Sequence, residues 1–303
     1  MQLMRRSVSD QVAHHLRRLA IGAIGPALIG LCLTQPLAAQ TAPTCFGQAA
    51  TMVGTNSSDT MRGTPGNDVI VGLGGADRIY GLGGNDVVCG NADSIEGSPG
   101  DPSRDKIFGG PGDDQIDGGG GADRLLGGLG GDTVVARGGS QAARRGDHIY
   151  GGAGSDTLIG CEFGDFFVPG PGHDEIYARG KRGNDIVSYR RARRPISADL
   201  LSGTGVGQGR DILKGVDSVL GSPQHDLFFG DASSNLLVGF RGEDVIRGRA
   251  GKDRLFGGRG KDWLYGGPGS DKLVGNRGFD HLYGGAGRDD CRDSDGAATT
   301  SCG

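Results

Sequence analysis

Aspartate is the chemically capable residue that recurs most regularly in this chain, at Asp244, Asp253, Asp262, Asp271, Asp280 and Asp289, a spacing of nine. Glycine frames each one, as in GRAGKDRLF, GGRGKDWLY, GGPGSDKLV and GNRGFDHLY. These segments follow the nonapeptide G-G-x-G-x-D-x-U-x, where U is a large apolar residue. A carboxylate held in a glycine turn offers hard anionic oxygens beside uncrowded backbone carbonyls, which is cation-binding chemistry. Earlier turns carry Asp59, Asp68, Asp77 and Asp86, then Asp105, Asp114, Asp123 and Asp132, then Asp147, Asp156, Asp165, Asp174 and Asp185. Asp226 and Asn235 open the last block.

The element that positions such a residue must be a short turn followed by a short strand. The first six residues make the turn, where glycine permits backbone angles closed to other residues. The next three form a strand, so U points inward and its two neighbours outward. Two turns and two strands close a coil of 18 residues, and stacked coils build two parallel sheets around a thin apolar core. The fold class is therefore all-β, a parallel β-roll or β-solenoid of about ten coils. Stacking brings aspartates 18 apart to about 4.8 Å from one another. Two unit charges that close repel by about 3–4 kcal/mol at an effective dielectric of ~20. A column of them needs cations, and oxygen donors without sulfur or imidazole favour calcium over a transition metal. The bland alternative, aspartate as a mere turn former, accounts for one or two turns but not for so regular a series.

Glycine occupies the first and fourth turn positions before Asp68, Asp77, Asp86, Asp114, Asp123, Asp132, Asp156, Asp185, Asp244, Asp253, Asp262, Asp271, Asp280 and Asp289, and the fourth before Asp174, whose first position is Pro169. These are the candidate calcium ligands. Asp59, Asp105, Asp147, Asp165, Asp226 and Asn235 break that pattern and read as caps or joints.

GTPGNDVIVGLGGADRIYGLGGNDVV (63–88) and GGRGKDWLYGGPGSDKLVG (257–275) resemble the repeat-in-toxin, or haemolysin-type, calcium-binding proteins. The stretch 183–231 resembles the irregular spacer between repeat blocks of that family. The resemblance implies a roll whose turns bind several calcium ions through aspartate carboxylates and backbone carbonyls. The chain departs from the family at the fifth turn position, where Lys252, Lys261 and Arg288 stand in place of the usual Asn or Asp.

Residues 1–39 read as a signal peptide, with Arg5, Arg6, Arg17 and Arg18 before the apolar stretch Leu19–Leu33 and the sequence TQPLAAQ. That stretch is short and broken by glycine and proline, which argues against a stable membrane anchor. The expected organisation is an N-terminal cap at 40–53, repeats with insertions at 54–185, a spacer at 186–225, a second block at 226–292 and a tail at 293–303. Further spacers are expected at 89–104 and 133–146. Removing 1–39 leaves 28 basic and 35 acidic residues, which gives no reason to expect nucleic acid. RRARR at 190–194 is the strongest basic cluster and reads as a solvated loop face. A secreted or cell-surface destination permits disulfides, and Cys45–Cys89 and Cys291–Cys302 are candidate pairs beside Cys161.

There is no H-E-x-x-H and no G-x-S-x-G. The sequence thus points to a secreted non-enzymatic calcium-binding repeat protein. Residues 18 apart stack on one face, so Trp263 should lie on His281 and Tyr265 on Tyr283. That face leaves a second reading open, an extracellular adhesin or carbohydrate-binding protein with a glycan or protein partner. A solenoid enzyme acting on polysaccharides is a third.

Overall fold

The computed structural model describes residues 42–92, 102–137, 146–161, 163–179, 183–294 and 299–302. The expected signal segment, and parts of the expected insertions at 89–104 and 133–146, lie outside these residues. Among the described residues there is no helix.

The chain alternates between two sheets, one of 12 strands and one of 15. Successive strands go to opposite sheets, so each strand pairs with the one a full coil away. Val245–Arg247 pairs in parallel with Trp263–Pro268, and Arg254–Arg259 with Lys272–Arg277, with partners Val245↔Trp263 and Arg254↔Lys272. The 18-residue coil of the sequence analysis is this register. Insertions lengthen particular coils without disturbing it: Arg78 pairs with Lys106, and Arg124 with His148.

The middle residue of each strand faces the partner sheet. Ile79, Leu125, Phe167, Phe228 and Leu264 are wholly buried, and their strand neighbours are not. Each such side chain contributes about 1.5–3 kcal/mol on burial. A coil therefore owes its cohesion to two inward residues and its parallel ladder. The expected outward stacks form as well, with ring centroids 5.4 Å apart for Trp263–His281 and 5.1 Å for Tyr265–Tyr283. Lys261 lies over the Trp263 ring at 5.0 Å and Arg247 over Tyr265 at 5.1 Å.

The stretch 186–225 does not interrupt the roll as expected. Ile186–Ser188 pairs directly with Ser218–Leu220, so the 12-stranded sheet runs through without a break. The other sheet takes in an antiparallel insert, Ser197–Asp199 against Thr204–Val206 and Thr204–Val206 against Arg210–Lys214. Its outer strands join the parallel order at Glu175–Tyr177 and Leu227–Phe229. Val187, Ala198, Leu213 and Val219 are buried in the common core, so the stretch obeys the inward-apolar rule without the glycine spacing. Arg249 ties the insert to the roll through two bonds to Asp199, at 2.7 and 2.8 Å. Cys45 is bonded to Cys89 and Cys291 to Cys302, with Cα atoms 5.7 and 6.2 Å apart.

Candidate metal centre: two columns of turn aspartates

From Asp77 onward, the column aspartates spend one carboxylate oxygen on the neighbouring coil. The backbone N–H of Asp244 donates to Oδ1 of Asp262 at 2.9 Å, and that of Asp262 to Oδ1 of Asp280 at 2.9 Å. On the opposite edge, Asp253 donates to Asp271 at 2.8 Å and Asp271 to Asp289 at 3.0 Å. Earlier coils repeat the pattern in two columns, Asp77 to Asp105 to Asp123 on one edge and Asp86 to Asp114 to Asp132 on the other. The Oδ1 bond fixes the rotamer and therefore the place of Oδ2.

What Oδ2 meets divides the turns into two forms. In both forms Oδ2 lies close to the Cα of the first-position glycine, as at Gly160 and Asp165 or Gly221 and Asp226, and what separates them is the donor it meets, none in the open form. A Cβ at Gly109, Gly127, Gly239 or Gly257 would overlap Oδ2 of Asp114, Asp132, Asp244 or Asp262. Those oxygens are buried and accept no hydrogen bond, as is true of Asp86, Asp123, Asp156, Asp174, Asp253, Asp271 and Asp289. The second residue of an open turn is left-handed, which aims its N–H away from the carboxylate. Glycine does this at Gly128 and Gly258, but so do Leu82 (φ 86°), Phe240 (77°) and Arg249 (72°). A side chain in that region costs roughly 1–2 kcal/mol, and such strain gathers at functional sites.

In the closed form the second residue is not left-handed and its N–H donates to the remaining oxygen. Thr55 donates to Oδ2 of Asp59 at 2.7 Å, Cys161 to Asp165 at 2.8 Å and Ser222 to Asp226 at 2.6 Å. Asp231 donates to Oδ1 of Asn235 at 2.8 Å. All four belong to the caps and joints of the sequence. Asp68, a candidate ligand, is also closed: both the N–H and the hydroxyl of Thr64 donate to its Oδ2, at 2.6 and 3.0 Å. Threonine at the second position is the signal that marks it. Asp105 and Asp147, which the glycine pattern set aside, lie buried within the column.

Two further aspartates fill the columns where the nonapeptide is lost. Asp174 donates to Oδ1 of Asp211 at 3.2 Å, and Asp185 to Oδ2 of Asp217 at 2.9 Å. The apolar residue two places later, Leu213 or Val219, is the sequence sign they keep. The other oxygen of Asp211 accepts the hydroxyl of buried Tyr189 at 2.8 Å.

Burial dominates the electrostatics of the columns. It pushes Asp123 up to about 9, Asp174 and Asp244 to about 8, Asp262 to about 7, and Asp114, Asp132 and Asp253 to about 6. Carboxylates in adjacent coils push the same way, while the backbone N–H bonds oppose them. A buried oxygen with no donor and a strong reluctance to ionise alone is what a cation relieves. Carbonyls supply further oxygen donors, because Gly110 O sits where a Cβ on Gly128 would go, and Gly242 O where one on Gly260 would go. The donor set is oxygen throughout the open turns, which fits a hard cation of the calcium type.

A comparison with protein families matches the model of the RTX calcium-binding nonapeptide repeat at residues 53–88, 99–134, 145–167, 229–264, 238–273 and 265–292. The unmatched stretch 168–228 contains the antiparallel insert. No curated protein matches the chain.

Proposed function

We propose that this chain, which belongs to the RTX calcium-binding nonapeptide repeat family, is a secreted, non-enzymatic protein whose roll folds on binding calcium. The observation that carries this reading is the series of open turns. The turns of Asp86, Asp114, Asp132, Asp244, Asp253, Asp262 and Asp271 each place a buried carboxylate oxygen without a donor beside carbonyls of the adjacent coil. Without a cation the columns carry like charges at close spacing and a glycine-rich chain of high conformational entropy. With calcium, binding free energy becomes folding free energy. Extracellular modules work at roughly 10⁻⁴–10⁻³ M calcium, so such a chain stays unfolded inside the cell and folds outside it. The candidate ligands are Asp77, Asp86, Asp114, Asp123, Asp132, Asp156, Asp174, Asp185, Asp244, Asp253, Asp262, Asp271, Asp280 and Asp289. Asp68 is withdrawn from the set because its turn is closed. The basic n-region, the apolar stretch and the small residues before Gln40 support export.

Calorimetric titration of the chain lacking residues 1–39 tests the proposal. Uptake of several calcium ions with positive cooperativity is expected. Binding of no ions, or of one or two independent ions, contradicts it.

A further inference from the structure

The 12-stranded sheet and the loop beside it carry a run of arginines outside the aspartate columns. The loop after Ile186–Ser188 holds Arg190, Arg191, Arg193 and Arg194, all exposed. Arg191, Arg193 and Arg194 border a cleft of about 620 Å³ with Leu126, Tyr150 and Val168 among its lining residues. The lining continues into a second depression of about 340 Å³, which shares Tyr150, Val168 and Arg191 and adds Arg190. Arg190 also lines a third, of about 310 Å³, with Arg241 and Arg259. Arg259 leads into a fourth, of about 420 Å³, with Arg277. Arg241, Arg259 and Arg277 face solvent and are in register on adjacent coils, Arg241↔Arg259 and Arg259↔Arg277. No aspartate or glutamate lines any of the four depressions. The ion pairs of the described residues use other arginines, Arg137, Arg249 and Arg292.

In a chain of formal charge −4, seven arginines bordering adjoining depressions that no carboxylate lines form a local field of opposite sign. Three of them repeat once per coil, about 4.8 Å apart. A rigid column of cations at fixed spacing suits an extended ligand with an anion on each unit. Arginine adds planar, bidentate recognition of carboxylates. Between the cations lie apolar and aromatic groups, with the Arg190 guanidinium 4.6 Å from the Phe240 ring. Rings and aliphatic walls accept the C–H face of a sugar. We propose that this groove binds a linear carboxylated polysaccharide, with one carboxylate per sugar ring set against the arginine column. Nucleic acid fits less well, since a duplex presents each strand's phosphates every ~3.4 Å of helix axis and Trp263, the one tryptophan available to stack on unpaired bases, lies on the other sheet. Arg241, Arg259 and Arg277 are also the third residues of the turns that carry Asp244, Asp262 and Asp280, so the loop arginines Arg190, Arg191, Arg193 and Arg194 are the part of the groove that is separable from the calcium turns.

The test uses the full mature chain at a calcium concentration that saturates its circular dichroism, titrated with short oligogalacturonides, neutral galactose oligomers and single-stranded DNA. Binding of oligogalacturonide that weakens with salt is expected, with no binding of the neutral oligomer. Arg193→Ala with Arg194→Ala, and separately Arg241→Ala with Arg259→Ala and Arg277→Ala, should each weaken it about tenfold or more. The same dichroism reports whether each variant folds, and either one that folds decides the matter. No binding, equal binding of the neutral oligomer, unchanged affinity in a folded variant, or tighter binding of DNA than of the acidic glycan overturns the proposal. Calcium uptake measured in parallel separates these failures from a failure of the calcium reading.

Discussion

At the scale of single residues, the second turn position decides what a turn aspartate can do. Left-handed Gly258 leaves Oδ2 of Asp262 with no donor, whereas the ordinary backbone of Ser222 closes the Asp226 turn on itself. Asp262→Ala should therefore weaken calcium binding by roughly the 10- to 100-fold seen when metal sites lose a supporting group, or more. Asp226→Ala should change it little, because Ser222 already satisfies Asp226. Equal losses in calorimetric titrations of the two variants would show that the open and closed forms do not differ in function. The first position is as demanding. Gly257→Ala puts a methyl group on Oδ2 of Asp262, and a loss of about 1–3 kcal/mol is expected in denaturant titrations of the calcium-loaded protein. Most of this was legible from glycine and aspartate spacing. Asp68 was not, since its first and fourth glycines are intact and only the Thr64 hydroxyl and N–H reveal the closed turn. Lys261, which the sequence sets beside the candidate ligand Asp262, reaches outward over Trp263.

At the scale of elements, the nonapeptide describes a turn and a strand, and both form where the spacing holds. Over 186–225 the glycines disappear while the inward apolar residues remain, so the strands persist and the turns change. Sequence spacing tracks turns, and packing tracks strands. That is why this stretch reads as a spacer yet completes a sheet. Asp211 and Asp217 continue the columns there with protein donors, including the buried Tyr189 hydroxyl. Tyr189→Phe leaves Oδ2 of Asp211 buried without that donor, at a cost of about 1–3 kcal/mol. A lower thermal midpoint is expected for the calcium-loaded variant. An unchanged midpoint would mean that solvent reaches Asp211 and that the junction is looser than its burial implies.

At the scale of the whole molecule, the columns make stability a contest between protons and cations. The turn carboxylates are raised in the metal-free fold, from the usual 3.8 to about 6 for Asp114, about 8 for Asp244 and about 9 for Asp123. A raised carboxyl holds its proton more tightly folded than unfolded. Its stabilisation is complete below the unfolded value and is lost as pH rises through the folded one. In chelator, the chain should thus hold more β-structure near pH ~4.5 than near ~8. Calcium affinity should fall as pH drops below about 7, because ions then compete with protons. A chelated chain with equal β-structure at both values would place these carboxylates in solvent.

Whether calcium makes the fold is answered most directly by far-ultraviolet circular dichroism of the mature chain at neutral pH, first in chelator and then on addition of calcium or magnesium. A largely unfolded spectrum that becomes β-rich with calcium alone is expected, since magnesium demands a smaller octahedral shell and holds its water. A full β spectrum in chelator, or equal rescue by magnesium, would contradict calcium-driven folding.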